Sequence, residues 1–322
     1  MGTSKRILHV GMIGSPTSTL ARIQRSLGYD SYTFDYLDRP GWPGFPTDLN
    51  ANVQQMPNRP LMGAKLLGFV LKERLYSRYD IYHCHFGRSL LPFNFDVPLL
   101  KASGKQIIAH YRGSDIRGRR QNVLMKKLAD VKFVSTPDLL AYVPEAVWIP
   151  NPIEVSSYQA HLEKAAVAES GALHIVHAPS ARQLKGTNYI SEAVEELRRQ
   201  GCNIEFTLIE NAAHSHVLRA LSSADIVVDQ IALQAGWYGV FACEAMAQKK
   251  PVCVYIRDDL EQKYLPSRPV MNINPSNITE RLKLLIDDPE LRSDLAEKGY
   301  TYVKQIHDAA KVTRRVMEFY KL

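Results

Sequence analysis

Two short stretches of this sequence combine residue types suited to a ligand that carries both phosphate and sugar hydroxyls. The first, Pro179-Ser180-Ala181-Arg182-Gln183-Leu184-Lys185-Gly186, puts two cations three positions apart between an apolar run and a helical pattern. Cations on a loop that opens a helix suit a diphosphate, because free helix N–H groups and side-chain charges meet the same anion. The second, residues 236–252, reads GWYGVFACEAMAQKKPV. Gly236 and Gly239 permit close backbone approach to a ligand on either side of Trp237 and Tyr238. The alanine-rich helical segment that follows carries a single carboxylate, Glu244. A lone carboxylate on an otherwise apolar helix must be hydrogen-bonded to be tolerated, and vicinal ribose hydroxyls are natural partners.

A third group lies in the first half. Apolar runs at 81–83 and 106–110 end in His83, with His85 two positions on, and in His110, which is followed by Arg112 and Asp115. In a parallel α/β sheet the carboxyl edge is where ligands bind. His83 and His85 share a strand face and so could form a metal pair. No third ligand is evident, and structural or substrate-contacting histidines are the commoner outcome. A glycine turn, Gly11-Met12-Ile13-Gly14, follows the first apolar run but lacks the GxGxxG spacing of a dinucleotide site. The loop at 210–216, starting at Glu210, is a further candidate for lining a base or acceptor pocket.

The elements that must carry these residues alternate in type. In the first half, strands are expected at 7–10, 31–35, 81–83, 106–110 and 132–134, with helices near 17–27, 61–78, 89–102 and 121–129. A Pro- and Gly-rich loop spans 39–60, and Val147-Trp148-Ile149-Pro150-Asn151-Pro152 forms a stiff turn. The stretch to Gly171 reads as a connection with weak strand character or a short helix. The alternation then restarts, with strands at 173–178, 204–209, 226–228 and 252–256 and helices at 188–199, 214–222 and 240–248. Thr187 or Asn188 is the expected N-cap of the helix after Lys185. Helices near 276–286, 289–305 and 308–320 close the chain. Two successive sets of βα units predict an α/β protein of two Rossmann-like domains.

Composition agrees. A chain of 322 residues suits two domains, and 45% hydrophobic with 23% charged residues is the make-up of a soluble globular protein. No apolar run reaches the roughly 20 residues of a membrane span, and the N-terminus has no cleavage pattern, so a cytoplasmic location is expected. The four cysteines form no CxxC pair and read as reduced structural thiols. The net charge of +7 is uneven: residues 1–152 hold 20 Lys plus Arg against 11 Asp plus Glu, the remainder 20 against 22. The densest basic cluster is Arg112, Arg117, Arg119, Arg120, Lys126 and Lys127. It suits an anionic lipid surface or an acidic acceptor; nucleic acid is disfavoured, because no aromatic residues alternate with these charges as a stacking platform.

Taken together, residues 236–252, Arg182, Lys185 and Gly186 upstream, and His110–Asp115 (HYRGSD) resemble the retaining GT-B glycosyltransferases of family 4. Residues 83–87, 149–152, 299–302 and His307-Asp308 also fit, so the likeness covers nearly the whole chain. It implies two Rossmann-like domains facing each other across a cleft: an acceptor-side domain over 1–152, with a closing helix at about 308–322 packing back on it, and a donor domain over 153–307. On this reading Gly14, Ser180, Arg182, Lys185, Gly186, Glu210, Gly236, Trp237, Tyr238, Gly239 and Glu244 hold the donor. His110, Arg182 and Lys185 are catalytic, and His83, His85, Arg112 and Asp115 lie on the acceptor side.

The resemblance further implies a nucleoside diphosphate sugar as donor, UDP-linked before GDP-linked, and a glycan or lipid-linked acceptor. Neither metal nor further cofactor is expected; contact with an anionic membrane is expected from the charge of the basic half alone. A place in cell-surface glycan or polysaccharide synthesis follows from the same likeness. The family carries two acids separated by seven positions; Glu244 matches the second, which holds the ribose, and Gly236 stands where the first would be. Asp229 and Gln230 are the nearest substitutes. A sugar-nucleotide epimerase, a sugar phosphorylase and a nucleotide-sugar-binding protein without catalysis share the same plan.

Overall fold

In the computed structural model, described over residues 5–11, 14–35, 47–51, 59–162, 171–265 and 267–322, the chain forms two compact units. Residues 1–152 and 309–322 make the first, and 153–308 the second. Most of the Pro-rich loop at 39–60, and Met12 and Ile13 of the glycine turn, lie outside the described residues.

The first unit is built on seven parallel strands: β1 (Ile7–Val10), β2 (Ser31–Asp35), β3 (Leu49–Asn50), β4 (Ile81–His85), β5 (Gln106–Tyr111), β6 (Val131–Val134) and β7 (Val147–Trp148). Their order is β3-β2-β1-β4-β5-β6-β7. The sequence runs out from β1 to one edge, then returns to β4 on its other side. β1, β4 and β5 are buried along their whole length, as near-continuous apolar runs covered on both faces must be. Alternation sends Leu8, Tyr82 and Ile107 to one face and Ile7, Ile81 and Ile108 to the other. The second face packs against Val312, Val316 and Tyr320 from the closing segment.

The second unit holds five parallel strands, β8 (Leu173–His177), β9 (Ile204–Leu208), β10 (Ile226–Val228), β11 (Val252–Val254) and β12 (Met271–Asn272), in the order β12-β11-β10-β8-β9. Here the direction reverses between β8 and β10. The loops leaving those two strands are therefore neighbours, and such a switch point is where an open α/β sheet receives a ligand.

Several elements depart from expectation. The helix expected at 89–102 is a turn at Pro92–Asn94 followed by the helix Val97–Ala102. Asp96 accepts from Ser89 Oγ (2.6 Å) and from the amides of Leu90 (3.1 Å) and Leu91 (3.1 Å), and Asn94 Oδ1 accepts from Ser89 N (2.8 Å). Those amides are drawn to side chains before a helix can use them. The helix expected over 61–78 is two, Arg59–Lys72 and Leu75–Arg78, parted where Arg74 turns left-handed (φ 53°). The connection contains the helix Val155–Leu162, β7 replaces part of the stiff turn, and β12 was not foreseen.

Candidate active site

At the carboxyl end of β8, Arg182–Lys185 forms a single helical turn and Thr187–Arg199 the longer helix after it, with left-handed Gly186 (φ 69°) between. A Cβ at 186 would stand 2.8 Å from the carbonyl oxygen of Ile231 in the β10 loop, so only glycine allows the two loops this close. They are stitched together further. Ile231 N donates to Lys185 O at 3.0 Å, Lys185 Nζ donates to Gln230 Oε1, and Gln230 Nε2 donates to Trp237 O. Neither Thr187 nor Asn188 serves as the expected cap. The cap is Gly186, and the Thr187 hydroxyl instead meets Nε2 of His177 at 2.9 Å. Nδ1 of His177 faces Val228 O at 2.8 Å, so a buried neutral histidine joins β8, β10 and the helix start, its pKa pushed down to about 4 chiefly by burial.

The β10 loop brings in the rest. Asp229 is buried, which raises its pKa against the opposing field of Lys185; its Oδ2 accepts from Gly239 N, the capping position of the helix Val240–Ala247. Glu244 on that helix is 3% exposed. Its Oε1 accepts from Tyr158 Oη (3.1 Å) and from His214 Nε2 (2.8 Å), leaving Oε2 outside both bonds. The hydrogen bond to Glu244 raises the His214 pKa. Arg182 and Glu210 form an ion pair of 3.0 Å whose side chains are 49% and 31% exposed. Ser180 is exposed on the β8 loop.

Gly236 is left-handed (φ 56°), and a Cβ there would stand 2.6 Å from Cβ of Arg257. An acid at this position would need both a strained backbone and a displaced Arg257, which accounts physically for its absence. Trp237 and Tyr238 are buried, not laid against an open surface. The Tyr238 hydroxyl bonds Tyr302 Oη (2.9 Å) and His307 Nε2 (2.8 Å), pinning the loop to the helix Pro289–Ile306.

In the first unit the carboxyl ends of β1, β4 and β5 hold a buried polar ring. Arg112 NH2 donates to His85 Nδ1 (2.8 Å), His85 Nε2 meets His9 Nδ1 (3.0 Å), and His9 Nε2 meets Gln24 Oε1 (2.8 Å). A guanidinium only donates, so each of these neutral rings must carry its proton on Nε2 and pass it on in the same direction. Gln24 Nε2 donates to Tyr320 Oη (3.3 Å), which meets His83 Nδ1 (2.6 Å). His83 Nε2 meets His110 Nδ1 (2.9 Å), and His110 Nε2 meets Ser135 Oγ (3.2 Å). Arg112 NH1 closes the ring on Ser135 Oγ (3.0 Å) and reaches Asn151 Oδ1 (2.9 Å). Burial lowers the pKa of all four histidines, that of His9 to about 4.

The third histidine that the sequence did not reveal is thus His9. Potential ligand atoms of His9, His83 and His85 lie within 4.8 Å of one another, yet every ring nitrogen of the cluster already faces a protein partner. Asp115 is mostly buried and accepts from the amides of Arg112 (3.0 Å) and Gly113 (2.7 Å), shaping the turn after β5. Gly14, left-handed and buried, begins the helix Gly14–Ser26.

No protein-family model matches this sequence, and no curated protein does. Solved structures do match over nearly the full length. Sucrose-phosphate synthase from Thermosynechococcus elongatus is 15% identical, with a TM-score of 0.69 over 98% of both chains. Anabaena HepE in complex with UDP-glucose is 12% identical, with a TM-score of 0.67 over 98% of both chains. A glycosyltransferase from Rickettsia africae is 14% identical, with a TM-score of 0.67 over 99% of this chain and 98% of its own. The fold is GT-B. At these identities the likeness speaks for architecture, and the residues must speak for chemistry.

The second GT-B unit carries Arg182, Lys185 and Gly186 after β8, Glu210 after β9, Gly236 and Gly239 after β10, and Glu244 on the helix Val240–Ala247. The first unit gathers His83, His85, His110, Arg112 and Asp115, and it buries the histidines behind Arg112. Sequence reasoning missed His9, Gln24, Tyr320, His177, Tyr158 and the role of His214. His9 had a readable signal, as the one polar residue within the apolar run 7–10, which the β1–β4 register sets beside His83. Tyr320 and Tyr158 had none, because their partners are 237 and 86 residues away.

Proposed function

We propose that this protein is a glycosyltransferase that moves a sugar from a UDP-linked donor to a hydroxyl acceptor, with retention at the anomeric carbon. The observation that carries the reading is the convergence at the β8–β10 switch point of Lys185, Arg182, a helix start and a buried carboxylate with one oxygen uncommitted. The donor diphosphate lies against Arg182 and Lys185, and the ribose hydroxyls bond Oε2 of Glu244, whose Oε1 is held by Tyr158 and His214. Arg182 leaves Glu210 at little cost, since an exposed ion pair contributes only about 0–1 kcal/mol. Lys185 exchanges its bond to Gln230 for the diphosphate, beside the buried Asp229.

As the bond from the anomeric carbon to the phosphate oxygen breaks, charge gathers on the diphosphate, and the two cations stabilise it more than they stabilise the ground state. The departing phosphate takes the proton of the attacking hydroxyl on the same face, so no enzymic nucleophile is required. Asp229 and Gln230 flank Lys185 where the family's first acid would act, and contact with the sugar hydroxyls falls to them. In the first unit Arg112 is the acceptor-side cation. His110, expected from the sequence to be catalytic, is buried with both ring nitrogens facing His83 and Ser135, so with His83 and His85 it acts through Arg112 as a positioning residue.

The test is a screen of UDP-, GDP- and ADP-sugars by thermal shift, followed by product analysis. A donor at 100 times its dissociation constant should add about 2.7 kcal/mol to stability. The product anomer should keep the donor's configuration by NMR. No shift with any nucleotide sugar, and no nucleoside diphosphate released with any acceptor, would discard the reading.

A further inference from the structure

The segments that follow β4 and β5 carry exposed apolar side chains for which the transfer chemistry above has no role. Phe93 and Phe95 are 75% and 70% exposed, with ring centroids 5.7 Å apart, and Leu99 and Val123, on the mutually packed helices Val97–Ala102 and Val123–Leu128, are 55% and 63% exposed. These residues are built into place. Phe93 and Asn94 both hold left-handed backbone (φ 58° and 63°), which is unfavourable for a bulky residue and persists only when its surroundings fix it. Asn94 and Asp96 supply that fixing through their bonds to residues 87–91. Asn122 caps the helix Val123–Leu128 and also donates Nδ2 to Phe93 O at 3.1 Å, tying the start of that helix to the Phe93 backbone.

Charge on the same two loops has one sign. Between residues 86 and 128 there are nine Lys plus Arg and two acids, Asp96 and Asp115, both drawn inward onto backbone amides. Arg112 and Arg117 are also engaged internally, Arg117 with Asp138 at 2.7 Å. Arg119, Arg120, Lys126 and Lys127 are exposed and, among the described residues, make no ion pair. Exposed aromatic and aliphatic side chains on the same stretch of chain as exposed cations match the interface of an anionic bilayer, where rings enter the acyl boundary and cations meet headgroup phosphates.

We propose that this surface docks the protein on an anionic membrane through Phe93, Phe95, Leu99 and Val123, with Arg119, Arg120, Lys126 and Lys127 on the headgroups. It deepens the transferase reading, on which it rests for one point only, by favouring a lipid-linked acceptor reached from the bilayer.

The experiment is flotation of the full chain with phosphatidylcholine vesicles, with and without phosphatidylglycerol, alongside UDP-sugar binding in vesicle-free buffer. The wild type should float only with the anionic vesicles and should be released at 1 M salt, where screening acts within about 3 Å. Lys126→Gln with Lys127→Gln should weaken vesicle binding by about 30-fold, at about fivefold per cation. Phe93→Asn with Phe95→Ser should weaken it about tenfold or more; asparagine is chosen because it tolerates the left-handed backbone. Both double variants should bind UDP-sugar like the wild type. Flotation that ignores phosphatidylglycerol, or is unchanged in both variants, would overturn the proposal. So would a phenylalanine variant that keeps its vesicle affinity and loses affinity for a soluble glycan acceptor, since the rings would then stack on sugar. Vesicle binding without UDP-sugar binding would instead strike the transferase reading and leave the docking surface standing.

Discussion

Lys185 and Gly236 are the residues on which the chemical reading turns. If Lys185 neutralises the leaving diphosphate, Lys185→Ala should lower turnover by about 10²-fold or more while leaving the fold intact, in steady-state assays with a verified donor. Gly236→Ala addresses the departure from the family pattern. The left-handed backbone and the 2.6 Å approach to Arg257 should cost about 1–2 kcal/mol or more in chemical denaturation. The types and spacing of Arg182, Lys185, Gly186 and Glu244 were legible because loop chemistry is local. What surrounds them was not. That Glu244 would share one oxygen between Tyr158 and His214, or that Thr187 would serve His177 instead of the helix end, depends on partners brought close only by the packed unit.

Among the elements, the parallel strands were readable because burial on both faces demands continuous apolar runs. The failures came where side chains outcompete the backbone, as Asn94 and Asp96 do after β4. The strand ends also fix how acid and base act. The four histidines at the carboxyl ends of β1, β4 and β5 have pKa values lowered by burial. Their contribution is complete above the unfolded value of about 6.5, and it is lost as pH falls below that toward the folded values, about 4 for His9. Hydrogen exchange should therefore show the amides of β1, β4 and β5 losing protection as pH drops from 7.5 to 5, after correction for intrinsic rates. His214 has the opposite sign. Its pKa is raised by Glu244, so its contribution is complete below about 6.5 and fades as pH climbs through the raised value. The melting-temperature advantage of wild type over His214→Asn should accordingly shrink between pH 6 and pH 8.5.

At the scale of the molecule, the first unit is finished by the far end of the sequence. Val312 and Val316 cover one face of its sheet, and the Tyr320 hydroxyl links Gln24 to His83. Deleting residues 309–322 should strip protection from β1, β4 and β5 while β8, β10 and β11 keep theirs, a contrast that hydrogen exchange resolves directly. Tyr320→Phe is the milder form. It strands buried polar atoms on both partners and should cost about 1–3 kcal/mol in the denaturation of the first unit.

The second unit leaves and re-enters the chain at neighbouring points: Ile153 pairs with Asp308, and its amide donates to His307 O at 2.7 Å. Topologically it is an insert within the first unit, and during synthesis that arrangement sets a schedule. The seven strands of the first sheet leave the ribosome early, but the helix that covers one face follows only after another 156 residues, counting 153 to 308. At about 5–20 residues per second that is a delay of roughly 8–30 s. Throughout it Ile7, Ile81 and Ile108 lack the part of their cover that Val312 and Val316 supply, and the histidine ring lacks Tyr320. The nascent chain must spend that interval incomplete, and chaperones have their longest opportunity on it there.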